Sequence, residues 1–187
     1  TVMERKLKHH EKRLLKKVNF LEYKREDSAR ENTILRRYMV LKREDYTTYH
    51  KLAGAIQKLA HMLAKLNAND PFRQKMAEQL LEKLYNMGVI TLKKSLAQCA
   101  KVTPSAFCRR RLPIILCRLK FCENLKEATK FVQQGHIRVG TEVITDPAFL
   151  VTRPMEDFVQ WSDSSKIRKK VLAYNDKLDD FDFLEDR

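Results

Sequence analysis

Apolar positions recur at helical spacing through most of the chain and give way to short β-branched runs only after Gly135. Near the start, Leu7, Leu14, Val18 and Leu21 fall on one side of a helix, which the polar stretch from Lys24 to Asn32 interrupts. The clearest periodicity follows. Tyr49, Leu52, Ile56, Leu59, Leu63 and Leu66 alternate spacings of three and four residues, the a/d pattern of a packed helix. Asn67 to Pro71 ends it. Asp70 supplies an N-cap and Pro71 a first-turn proline. The next helix should therefore bury Phe72, Met76, Leu80, Leu84 and Met87 and close on Gly88 as a left-handed C-cap. A short loop makes these two helices antiparallel neighbours.

Beyond Thr91 a shorter helix runs to Cys99, and Thr103-Pro104 opens another that carries Phe107 inward and brings Arg109, Arg110 and Arg111 to its C-terminal end. Pro113 in a helix interior would cost about 3 kcal/mol. A break at Leu112 and a fresh start at Pro113 follow, with Ile114, Ile115, Leu116 and Leu119 buried and Arg118 and Lys120 on the polar side. Asn124 and Glu127 have capping-box spacing and open a helix over 125–134 on the apolar face Ala128, Phe131 and Val132; Gly135 closes it. Residues 137–139, 143–144 and 157–161 then read as strands of a small antiparallel or mixed sheet. Ser165 caps a last helix with Ile167, Val171 and Leu172 on one side and Lys166, Arg168, Lys169 and Lys170 on the other.

The fold class is thus α+β: a mostly helical region (1–106), a small αα-plus-β unit (107–162), and a basic helix with an acidic tail (163–187) in which Phe181 and Phe183 are candidate anchors. Composition changes the picture through charge. The 187 residues carry a net +14, which draws in polyanions, nucleic acid first and membrane surfaces second. No apolar run approaches the roughly 20 residues that span a bilayer, and the N-terminus lacks a secretory h-region, which predicts a soluble intracellular protein. Cys99, Cys108, Cys117 and Cys122 show no CxxC or CxH spacing, so buried thiols are expected and a zinc site is not.

No catalytic constellation stands out: there is no phosphate-cradling glycine loop, no HExxH and no GxSxG, and His9-His10-Glu11 has the wrong order for a helical zinc site. No enzyme activity and no cofactor are expected. The cations are spread over several helix ends and a turn, with no continuous basic recognition helix, which suits shape and phosphate recognition of structured RNA. The candidate RNA-binding residues are Lys12 and Lys16 near the start, then Arg109, Arg110, Arg111, Arg118, Lys120, Lys126 and Lys130, then Gln134, His136 and Arg138 at the turn.

Arg111-Leu112, Leu116, Arg118-Leu119, Glu127-Ala128, Gly135 to Gly140 and Asp146-Pro147 resemble the S4 RNA-binding domain, and DPFRQ at Asp70 to Gln74 resembles the helical part of the ribosomal protein S4 family. RKLKHHEKRLLKKV at Arg5 to Val18, FCRRRLP at Phe107 to Pro113 and the stretch from Asp146 to Lys169 are similar to the S4-like subunits of the U3 small nucleolar ribonucleoprotein. That resemblance implies a nucleolar, non-enzymatic protein that promotes pairing of U3 small nucleolar RNA with pre-ribosomal RNA in small-subunit biogenesis and 18S rRNA processing. It also implies as partners the M-phase phosphoprotein scaffold of the U3 complex and other small-subunit processome proteins, and no membrane. A structural S4-family protein of the mature small ribosomal subunit is the alternative. Pro113, Glu123, Leu125 and Thr129 depart from the general S4 pattern, which shifts the expected RNA face toward Arg109 to Arg111 and Gln134 to Arg138.

Overall fold

The computed structural model describes residues 5–18 and 29–177. These fall into two compact units divided between Arg37 and Tyr38. The first contains α1 (His9–Lys17) and α2 (Ala29–Arg37). Glu11 closes the start of α1 by accepting the Lys8 N–H at 2.8 Å, and it pairs with Arg5 at 2.8 Å. No side chain of α1 is buried. The expected break over Lys24 to Asn32 is overtaken by α2, which begins at Ala29; Leu21 and residues 24–28 lie outside the described residues.

The second unit contains α3 (Arg43–Lys65), α4 (Pro71–Asn86), α5 (Leu96–Ala100), α6 (Pro104–Cys108), α7 (Leu112–Arg118), α8 (Leu125–Gln133), β1 (Ile137–Val139), β2 (Glu142–Val143), α9 (Arg153–Glu156), β3 (Val159–Trp161) and α10 (Lys166–Tyr174). The α+β class is as read from the sequence. The buried face of α3 is so only in part: Tyr49 and Leu63 point inward as expected, but Ala53 and Ala60 join them, while Leu52, Leu59 and Leu66 are exposed. The short helices α5 and α6 pack against α3, and alanines at 53 and 60 leave room for them where leucines would not. Gln57 lies beside the same seam and donates to the Val102 carbonyl at 2.6 Å, and the Tyr49 and Phe107 rings stack at 5.9 Å.

Asp70 caps α4 as expected, accepting the Phe72 N–H at 2.9 Å. Of the predicted buried face only Leu84 is fully enclosed, and Phe72 stands in solvent. The helix ends in a Schellman turn, with Gly88 N–H on Tyr85 O at 2.8 Å and Val89 N–H on Leu84 O at 3.0 Å. Gly88 has φ +73, the left-handed region that a side chain resists.

The αα-plus-β part is built on Leu112, Ile115, Leu116, Ala128, Val132, Ile137, Val151 and Val159. The sheet is antiparallel in the order β2-β1-β3, with Arg138 opposite both Val143 and Gln160. Trp161 closes one side against Phe121 and Phe131, at 5.3 and 5.8 Å between ring centroids. Leu119, expected inside, is exposed, because α7 stops at Arg118 and Lys120 turns the chain with φ 62. Asn124 precedes α8 without capping a backbone N–H; its amide donates to the Glu127 carboxylate at 3.3 Å. Asp157 and Phe158 form a turn before β3.

Candidate nucleic-acid interface

The three consecutive arginines do not share a surface. Arg109 follows the end of α6 and is exposed. Arg110 is 4 % exposed and Arg111 2 %. Arg109 and Arg110 form a turn after α6, and only Arg111 is extended, pairing as an isolated antiparallel bridge with Leu150. The side chains of Arg110 and Arg111 leave this turn toward different elements, and each meets a different acid.

Arg110 donates Nε and Nη2 to the Val151 carbonyl at 2.8 and 2.5 Å and Nη1 to Glu156. Arg111 donates Nη1 to Asp45 Oδ2 at 2.9 Å and to the Tyr49 hydroxyl at 3.3 Å. The expectation that this triplet displays its charge outward therefore holds for Arg109 alone. A buried guanidinium requires a paired acid, and Asp45 and Glu156 supply it from α3 and α9. Burial raises the Tyr49 hydroxyl above its ordinary pKa, with the neighbouring Arg111 acting in the opposite direction.

Glu156 also receives Arg118, whose side chain is half exposed. Burial pushes its carboxyl up, but hydrogen bonds and charge from Arg110 and Arg118 outweigh that and hold it below the usual carboxylate range. Arg118 is thus tethered at its tip. Lys120, Lys126 and Lys130 are exposed and pair with no acid among the described residues. Lys126 and Lys130 are one helical turn apart on α8, opposite its buried Ala128 and Val132. Lys12 and Lys16 have the same spacing on α1, in the first unit, and are likewise exposed.

Gln134 is exposed at the end of α8, where Gly135 makes a second Schellman turn: its N–H bonds Val132 O at 3.0 Å and that of His136 bonds Phe131 O at 3.0 Å. The Ser165 hydroxyl accepts the Ile167 N–H at 3.2 Å and lies 3.0 Å from His136 Nδ1. Arg138 bonds Gln160 at 2.9 Å and pairs with Asp163 at 3.1 Å. Asp163, in the turn after β3, binds Arg168 as well, so it links Arg138 of β1 to Arg168 of α10.

Two cysteines are buried and two half-buried, all as free thiols. Cys117 and Cys122 sit 3.8 Å apart. Burial and the neighbouring Cys117 push the Cys122 thiol up to about 12.

The ribosomal protein S4/S9 N-terminal domain matches residues 6–109, and the S4 domain matches residues 110–158. The U3 small nucleolar ribonucleoprotein protein IMP3 of Saccharomyces cerevisiae is 53 % identical over 97 % of this chain and 100 % of its own length. The human protein of the same name is 52 % identical over 96 % of this chain and 98 % of its own. The small ribosomal subunit protein uS4 of Picrophilus torridus is 29 % identical over 54 % of this chain and 56 % of its own. The chain belongs to the S4 family and, within it, to the family of the U3 small nucleolar ribonucleoprotein protein IMP3.

Proposed function

We propose that this protein is an RNA-binding component of the U3 small nucleolar ribonucleoprotein that promotes pairing of U3 RNA with pre-ribosomal RNA during small-subunit biogenesis and 18S rRNA processing in the nucleolus. Membership of the U3 family supports the particle, with the M-phase phosphoprotein scaffold and other processome proteins as partners. The observation that carries the RNA role is the set of exposed cations with no acid partner among the described residues, on the S4 domain and at its edge: Lys120, Lys126 and Lys130, with Arg109 just before it. Unpaired lysines release counterions from RNA on contact, whereas Arg110 and Arg111 are already neutralised inside the protein. Arg138, Gln134 and His136 supply donors at the turn. The role in a mature ribosomal subunit is the weaker reading, because the uS4 relative of Picrophilus torridus is 29 % identical where the IMP3 protein of Saccharomyces cerevisiae is 53 %.

The test is an annealing assay with a labelled U3 fragment and its pre-ribosomal RNA complement, joined to anisotropy titrations at several salt concentrations. The protein should speed duplex formation. Lys126→Ala with Lys130→Ala should weaken binding and reduce the magnitude of the log-log salt slope by about 0.7–0.9 for each phosphate no longer neutralised. Binding without any annealing effect would remove the pairing role; an unchanged slope would remove these lysines from the interface.

A further inference from the structure

The leucines of α3 that the core leaves outside are not scattered. Leu59, Met62 and Leu66 join Phe72, Met76 and Leu80 of α4 around an open groove of about 510 Å³, with Leu63 beneath and Lys83 at its lip. Leu59 is 40 % exposed, Met62 59 % and Phe72 58 %. Leu52 and Leu59 are seven residues apart and so lie on one side of α3, and Leu66, just past the end of that helix, also lines the groove. Lys51, Lys58 and Lys65 follow the same interval one position earlier and are all exposed, which places a basic bank beside the apolar stripe. A contiguous apolar surface of this kind marks an interaction site.

We propose that this groove is a docking site for an acidic amphipathic helix of a partner protein. A helix fits the shape: it would lay its own apolar residues at i, i+3, i+4 and i+7 between α3 and α4, the helix-in-groove mode. Acidity follows from the bank, because Lys51, Lys58, Lys65 and Lys83 stand where the flanking positions of a paired helix would meet them. RNA is the poorer occupant, since the floor offers aliphatic side chains and a single aromatic ring where bases need stacking platforms. The site is separate from the cations on α7 and α8 and does not rest on the RNA reading.

The full-length protein is titrated into a fluorescein-labelled synthetic helix of about 21 residues carrying leucines at that spacing and glutamates on both flanks, alongside a scrambled peptide and one with lysines replacing the glutamates. The acidic helix should bind at least tenfold more tightly than either. Met62→Glu and Leu59→Ser, both at exposed positions, should each weaken it several-fold without changing the melting temperature. Lys58→Glu with Lys65→Glu should reverse the preference toward the lysine peptide. Equal binding of all three peptides, or indifference to Met62→Glu, overturns the proposal. So does binding that emerges only when Phe181→Ser and Phe183→Ser are introduced, because the chain's own acidic end would then be the occupant.

Discussion

Replacing Arg110 with alanine separates a structural arginine from an RNA-binding one. The substitution removes two bonds to the Val151 carbonyl, at 2.8 and 2.5 Å, and the pairing with Glu156. Hydrogen bonds to charged groups contribute about 1.5–3 kcal/mol, and removing one partner of a buried pair costs about 3–5 kcal/mol. Glu156 keeps Arg118, and the two bonds to Val151 share an acceptor, so the low end applies, about 3 kcal/mol. At about 2–4 °C per kcal/mol for a chain of this size, the melting temperature should fall by about 6–12 °C. Arg109→Ala, at an exposed position, should stay within about 0.5 kcal/mol of the unaltered protein. Circular dichroism melts measure the first quantity. Anisotropy titration with RNA, at a temperature where both variants are folded, measures the second. Arg110→Ala should retain the salt slope of the unaltered protein, and Arg109→Ala should lower it. The structural role of Arg110 is refuted if Arg110→Ala melts within about 2 °C of the unaltered protein and loses salt dependence, because its guanidinium would then be meeting phosphate.

Three further outcomes rest on the same geometry. In Gly88→Ala the new Cβ would lie 2.6 Å from Arg110 Cζ at a backbone φ of +73; the backbone alone costs about 1–2 kcal/mol, so a loss of about 2 kcal/mol or more is expected in urea unfolding, and an unmoved midpoint would count against it. Glu156 has a depressed folded pKa, so its contribution is present above the unfolded carboxylate value of about 4.3 and disappears as pH falls through the lower folded value. Glu156→Gln should therefore flatten the acid side of the stability profile below about pH 4.3, and a profile parallel to that of the unaltered protein would oppose this. Cys122, raised to about 12, should resist iodoacetamide at pH 8 in the folded protein and react readily in urea, with mass spectrometry of the labelled peptide as the readout.

The helix starts are legible in the sequence, because Asp70-Pro71, Thr103-Pro104 and Pro113 act through local backbone rules that need no tertiary partner. The small sheet is readable for the same reason, since Gly135 and Gly140 punctuate β-branched runs. The arginine triplet is not. Its chemistry is decided by Asp45, 66 residues from Arg111, and Glu156, 46 residues from Arg110, and charge in a sequence does not say whether an acid waits inside. On α3 periodicity finds Tyr49 and Leu63 but ranks leucine above alanine, whereas the seam with α5 and α6 selects small residues at Ala53 and Ala60. Helical spacing against Ala128 and Val132 does place the lysines of α8 outside, yet their RNA contacts lie beyond what spacing states.

The two opposed arginines also determine how the protein transmits position. The family boundary falls between residues 109 and 110, where a linker between modules would be expected. Instead Arg110 fastens that junction to α9 and Arg111 fastens it to α3. Within the second unit the junction works as a rivet between α3 and α9. Ligands held on α8 and on α3, both in the second unit, would therefore keep a set spacing and bearing.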